Sequence, residues 1–254
     1  MFWAVNIGNT RAVSGWMGDL KVLTKNVTET SQLWTDSGAL RWAKGLQKAG
    51  PGKGFIVSSV VPPVDAKVRK AIRKVSGHHP HWLNVQKNPG IAIRYRKPSE
   101  VGADRIANSV AAKALYGAPV IVVDYGTGTT FDIVDPKGAY RGGVILPGIG
   151  VSLKALYRYT AKLPLVSFEP VQNPIGTTTK DGIRSGIYFG TLGATREILL
   201  RVRKQLGVVA PAVATGGWCG HFKDSNIFKH IEPDLTLIGL SLLWRKSHDD
   251  SAVE

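Results

Sequence analysis

The strongest constraint on this chain is a pattern that occurs twice. An apolar strand ends in a side-chain amide or carboxylate, a glycine turn rich in hydroxyl residues follows, and new strands return. The first copy is Asn6-Ile7-Gly8-Asn9-Thr10, closing a strand at residues 2–6. The second is Asp124-Tyr125-Gly126-Thr127-Gly128-Thr129-Thr130, closing a strand at residues 120–124. Strand-like segments follow each copy, at 11–16 and 20–27 in the first and at 131–134 and 140–146 in the second. Further strands are expected at 55–61, 81–85 and 210–215. Helices are expected at 38–48 and 62–75, from a Ser99 cap to 115, after Pro147-Gly148 to about 159, and at 234–245, followed by a frayed polar tail. Residues 179–206 read as one or two helices broken near Gly186, Gly190 and Gly193. The fold class is therefore α/β, in two halves of one plan, residues 1–117 and 118–254.

The chain has 254 residues, 43% of them hydrophobic, enough for a sizeable core without covalent staples. A lone cysteine, Cys219, excludes an internal disulfide and a multi-cysteine metal site, and suits a reduced, cytoplasmic setting. No segment has the ~20 apolar residues of a membrane-spanning helix. The formal charge of +15 invites a polyanion partner. Its densest run, residues 67–74, lies on an amphipathic helix and reads as a solvated face. Arg94-Tyr95-Arg96-Lys97 interleaves an aromatic with bases, yet no zinc finger, RNP motif or basic zipper accompanies it, so no specific nucleic-acid partner is expected.

Glycine lets backbone approach a phosphate, while neighbouring N–H groups and hydroxyls ligate its oxygens. An acidic residue at the strand end can hold a cation beside that phosphate. Either turn alone is as well explained as an ordinary hairpin; the duplication favours phosphate binding, two loops clamping a nucleotide tail across a cleft. Ala214-Thr215-Gly216-Gly217 ends a late strand in a turn that can lie against a nucleoside. The P-loop, the dinucleotide fingerprint and the hydrolase elbow are all absent. Gly102-Ala103-Asp104-Arg105 opens a helix between the halves. There Asp104 can accept a proton from a substrate hydroxyl, kept ionised by the helix N-terminus, Arg105 can take a carboxylate, and Asn108 can orient Asp104. The bland alternative is a surface Asp–Arg pair.

These pieces together resemble the type III pantothenate kinases, of the actin, sugar-kinase and Hsp70 ATPase superfamily. Further blocks follow the family order, among them Ser58-Ser59-Val60-Val61-Pro62-Pro63, residues 142–149, residues 160–164 and Ile175-Gly176-Thr177-Thr178-Thr179. The resemblance implies two ribonuclease-H-like (actin-like ATPase) domains with a nucleotide cleft between them, and a homodimer. It implies ATP-dependent phosphorylation of the 4′-hydroxyl of pantothenate, the first step towards coenzyme A. By the same resemblance Asp104 is the general base. Tyr95, Gly102, Ala103, Asp104, Arg105 and Thr179 bind pantothenate, with Thr179 from the other subunit. Asn6, Ile7, Gly8, Asn9, Thr10, Arg11, Ala12, Val13, Thr127, Gly216 and Gly217 bind ATP. Asp124 holds a monovalent cation, potassium or ammonium, and magnesium accompanies ATP.

One position departs from the family pattern, which has aspartate where this chain has Asn6. An amide carries no charge and adds donors that a cation repels. Asn6 leaves open an enzyme of reduced activity, a nucleotide- or pantothenate-binding regulatory protein without turnover, or an introduced change.

Overall fold

The computed structural model describes residues 1–52 and 54–249. Six of its strands and three of its helices precede the second glycine turn: β1 (Phe2–Ile7), β2 (Arg11–Gly18), β3 (Lys21–Glu29), α1 (Asp36–Ala49), β4 (Gly54–Ser59), α2 (Pro62–Ser76), β5 (His81–Trp82), α3 (Ala103–Tyr116) and β6 (Val120–Tyr125). Then come β7 (Gly128–Val134), β8 (Tyr140–Pro147), α4 (Ile149–Arg158), α5 (Thr179–Leu206), β9 (Ala212–Thr215), β10 (His230–Ile231) and α6 (Leu235–Asp249).

The strands form two sheets of one plan. The first runs β3-β2-β1-β4-β5 and the second β8-β7-β6-β9-β10. In each, the central strand pairs antiparallel with the hairpin that follows it and parallel with a later strand. Central strands are covered on both faces, which is why Phe2-Trp3-Ala4-Val5 and Val120-Ile121-Val122-Val123 are continuous apolar runs.

The chain divides into two compact units, Met1–Leu115 with Asp234–Glu254, and Tyr116–Pro233. The terminal helix thus belongs with the first unit, whereas the sequence reading placed it in the second half. The cause is packing: Leu237, Leu240 and Leu243 of α6 join Phe2, Ala4, Ile56, Ala103 and Ala107 in one core. Gly239 allows this approach, because a Cβ there would run into the backbone of Ala107. The opposite face of the first sheet carries Trp3, Val5 and Ile7 against Trp42 and Leu46 of α1 and Val64, Val68 and Ile72 of α2. Period-two alternation therefore sends Asn6, with Phe2 and Ala4, to the face covered by α3 and α6.

Two local expectations fail. α5 is one continuous helix of 28 residues, not a broken one. It is capped by Thr178, whose hydroxyl accepts from Asp181 N, and closed by Gly207 in the left-handed region. Gly186, Gly190 and Gly193 adopt helical backbone inside it; the local propensity cost of glycine is overridden by the rest of the helix. Ser99 does not cap α3: it sits in a separate 3-10 turn, Pro98–Glu100, and α3 starts at Ala103. The tail predicted to fray lies, beyond Asp249, outside the described residues.

Candidate active site

The first turn follows β1. Gly8 N donates to Arg11 O at 3.0 Å, closing the loop tightly. The fully buried Thr30 latches it: its hydroxyl donates to Gly8 O at 2.7 Å, and its N–H to Thr10 O at 2.9 Å. Val60 N donates to Ile7 O at 3.0 Å, tying the strand end to the segment after β4. Asn6 is half-buried, and across the parallel pair β1–β4 it faces Ser58. Ser58 is fully buried and its hydroxyl donates to Asn6 Oδ1 at 2.6 Å. Of the predicted phosphate-loop residues, Asn9, Thr10 and Arg11 are exposed, with Arg11 Nε 3.8 Å from Glu29 Oε1. Ile7 and Ala12 are core residues and offer a ligand only backbone, while Val13 packs partly against the α6 core.

Asp104 stands in the first turn of α3, on the same unit as Asn6. Its Oδ1 accepts the backbone N–H of Arg105 at 2.8 Å. A Cβ at position 102 would lie 2.6 Å from that oxygen and 3.3 Å from Val60 Cγ1. A side chain at position 102 would thus displace the carboxylate from its present place. Burial raises the Asp104 carboxyl above its ordinary pKa, against the opposing pull of the Arg105 N–H and guanidinium. The sequence reading weighed the helix N-terminus, which favours the ionised form, but not burial, which opposes it and sets the direction of the shift. Asn108 is fully buried, and its Oδ1 accepts from Thr236 Oγ1 of α6 at 2.7 Å, so that oxygen serves the α3–α6 contact.

A cavity of about 520 Å³ opens beside Gly102 and Ala103. Ser59, Val60, Asn84 and Glu100 line it, and Arg69 lies 4.3 Å above the ring of Trp82 at its wall. Tyr95 is 37% exposed and lies outside this lining. The substrate segment is therefore gathered in the first unit, apart from Thr179, which opens α5 in the second and is exposed.

The second turn is built differently. Gly126 N donates to Gly128 O at 3.1 Å, and Gly148 N to Thr127 O at 3.0 Å. Gly148, the residue before α4, fits only without a side chain, because a Cβ would strike the carbonyls of Thr127 and Gly126. Thr127 itself is exposed. Asp124 occupies the strand-end position on β6 that Asn6 occupies on β1, and faces Thr215 across the pair β6–β9. Its Oδ1 fills the place a Cβ of Gly216 would take, and it lies 3.4 Å from that of a Cβ at Gly126. Gly216 has φ +88°, so the turn after β9 demands glycine for both conformation and space. Gly217 is exposed, with nothing near its Cβ position.

Sequence reasoning missed Ser58, Thr30 and Gly148. Ser58 had a faint signal, a polar residue closing an apolar strand. Thr30 had none, since its partner is 22 residues away.

Two sheets of one plan, each with a glycine turn after its central strand, define the actin-like ATPase class of ribonuclease-H-like domains. A Campylobacter jejuni protein assigned to the Baf family of transcriptional activators shares this fold at TM-score 0.60 and 18% identity, covering 98% of this chain and 100% of its own. So does the Clostridium difficile activator of 2-hydroxyisocaproyl-CoA dehydratase, solved with bound ADPNP, at TM-score 0.53 and 10% identity over 100% and 98%.

Sequence narrows the class. The profile of type III pantothenate kinases matches residues 2–201. A type III pantothenate kinase of Thermomicrobium roseum is 36% identical over 255 residues, 98% of each chain, and one of Koribacter versatilis is 43% identical over 199 residues, 78% of this chain and 73% of its own. The chain belongs to the type III pantothenate kinase family, and is an enzyme of the kinase class. No helix among the described residues is long and apolar enough to cross a membrane.

Proposed function

We propose that this chain transfers a phosphoryl group from ATP to the 4′-hydroxyl of pantothenate, the first step of coenzyme A synthesis, in the cytoplasm. The observation that carries the reading is Asp104, which directly follows the cavity-lining Gly102 and Ala103 and has its carboxyl raised in pKa by burial. A more basic carboxylate is a better acceptor for the substrate proton. Asp104 takes that proton as the hydroxyl attacks the terminal phosphorus, and the bond to the ADP oxygen breaks. Gly102, Ala103 and Arg105 hold the substrate beside it with Tyr95, and Thr179 of a second copy completes the pocket. Phosphoryl transfer needs little covalent chemistry from the protein, so positioning and neutralisation of charge dominate.

In this reading residues 6–13 and Thr127 are the groups that would take ATP phosphates, and Gly216 and Gly217 those that would take the nucleoside. Asp124 fits a monovalent cation such as potassium or ammonium: a single carboxylate, with the hydroxyls and carbonyls of its turn, suits a weakly held hard ion. Magnesium accompanies ATP, but residue 6 fits poorly as its anchor, since a neutral amide brings no charge and two N–H donors that a cation repels. The chain works as a homodimer. Ile145, Tyr157, Tyr159, Leu165 and Ile175 are all more than half exposed, an apolar set that a second copy would cover.

The test is formation of 4′-phosphopantothenate from ATP with potassium and magnesium, by this chain and by Asn6→Asp. Product from this chain is expected. Product from neither would overturn the reading. Product from Asn6→Asp alone would favour the second reading, a nucleotide- and pantothenate-binding protein without turnover, for which the neutral Asn6 is the specific support.

A further inference from the structure

We propose that Asn6 binds the nucleotide directly, donating from its amide nitrogen to a phosphate oxygen, and that nucleotide binding at the first loop is consequently independent of magnesium. This rests on the reading of residues 6–13 as the phosphate loop.

Two observations carry it. The two sheets place Asn6 and Asp124 at equivalent strand ends, each facing a hydroxyl residue of the parallel neighbour, Ser58 and Thr215. Only the second position carries charge. Next, the buried Ser58 hydroxyl holds Asn6 Oδ1 at 2.6 Å and so fixes the amide plane. The amide is half-buried, and its Nδ2 has no hydrogen-bond partner among the described residues, so both N–H donors are available to a ligand.

The chemistry follows from the donor inventory. An amide nitrogen brings two N–H donors and no lone pair for a metal. Phosphate oxygens are the complementary partner, and a hydrogen bond to a charged acceptor is among the stronger ones. A carboxylate at position 6 would reverse the preference, repelling phosphate unless a cation lay between them. Ser58 is then a positioning residue, setting which end of the amide is available.

Calorimetric titration with ADP, in EDTA and in magnesium, tests this without relying on turnover. The affinity of this chain is expected to change by less than about threefold between the two conditions. Asn6→Asp is expected to lose about tenfold or more in EDTA and to recover in magnesium. Ser58→Ala, with an unconstrained amide, should lose a few-fold in EDTA, and Ser58→Thr should restore it; circular dichroism establishes that each variant is folded. The proposal is overturned if this chain itself loses tenfold in EDTA, or if Asn6→Asp binds ADP in EDTA as tightly as Asn6 does. Absence of ADP binding in either condition by every variant would overturn the phosphate-loop reading with it. Tight ADP binding without phosphopantothenate formation would remove the kinase reading and leave this one standing.

Discussion

The two units share one sheet plan but place their negative charge differently. In the second, the carboxylate sits on the central strand itself, as Asp124, packed against the glycines of two turns. In the first, the equivalent strand end is the neutral Asn6, and the carboxylate is Asp104, on the helix that covers that face of the sheet. The latches differ as well. A threonine hydroxyl from a distant segment holds the first turn, whereas the residue preceding α4 holds the second. One architecture thus supports a turn that offers donors and a turn that offers charge. On the proposed reading, the first unit supplies the group that takes the proton and the second the carboxylate beside the cation.

The comparison is broken most severely at Asp104. Asp104→Asn should lower kcat on the order of 10²- to 10⁴-fold in a phosphopantothenate assay, with ADP affinity retained. The same variant should melt at a higher temperature at pH 7. A buried carboxyl with a raised pKa opposes folding when ionised; folding favours its protonated form. The penalty is absent below the ordinary carboxylate range and present above the raised folded pKa, so the gain should vanish on acidification. An unchanged melting temperature at both extremes would contradict the burial of this group.

Asp124→Asn makes the second strand end resemble the first. It should abolish stimulation by potassium or ammonium and lower kcat by about tenfold or more, read by varying the monovalent cation at fixed magnesium. Activity that still rises with potassium would remove Asp124 from that role. Gly216→Ala places a side chain at φ +88° against Asp124 and should cost about 1–3 kcal/mol in denaturant unfolding, while Gly217→Ala should be nearly neutral. Equal costs at the two glycines would show that the Asp124 contact does not shape this turn. The smallest effect is expected from Thr30→Val, about 1 kcal/mol of stability with a modest loss of ADP affinity, because it frees the first turn without altering its charge.

Much of this was legible in the sequence because it is local. Apolar runs followed by glycine and hydroxyl residues disclosed both central strands and both turns, and their repetition disclosed the two-sheet plan. Asp104 was visible in Gly102-Ala103-Asp104-Arg105, and Asn6 as the residue that breaks the repeat. What was illegible depends on partners distant in the chain. Ser58 lies 52 residues from Asn6, and α6 returns to the first sheet through a contact that needs Gly239 beside Ala107. The glycines of α5 read as breaks because propensity is local, while the helix is sustained by its caps and its packed face. The rise in the Asp104 pKa was illegible for the same reason: the dipole of its own helix is apparent in sequence, the surrounding desolvation is not.

The most direct measurement is pantothenate-dependent product formation by this chain and by Asp104→Asn, side by side, with ATP, magnesium and potassium. Phosphopantothenate from the unaltered chain, and at least a hundredfold less from Asp104→Asn on the scale of general-base catalysis, is the expected result. Equal rates from the two proteins, or no product from the unaltered chain and from Asn6→Asp alike, would contradict it.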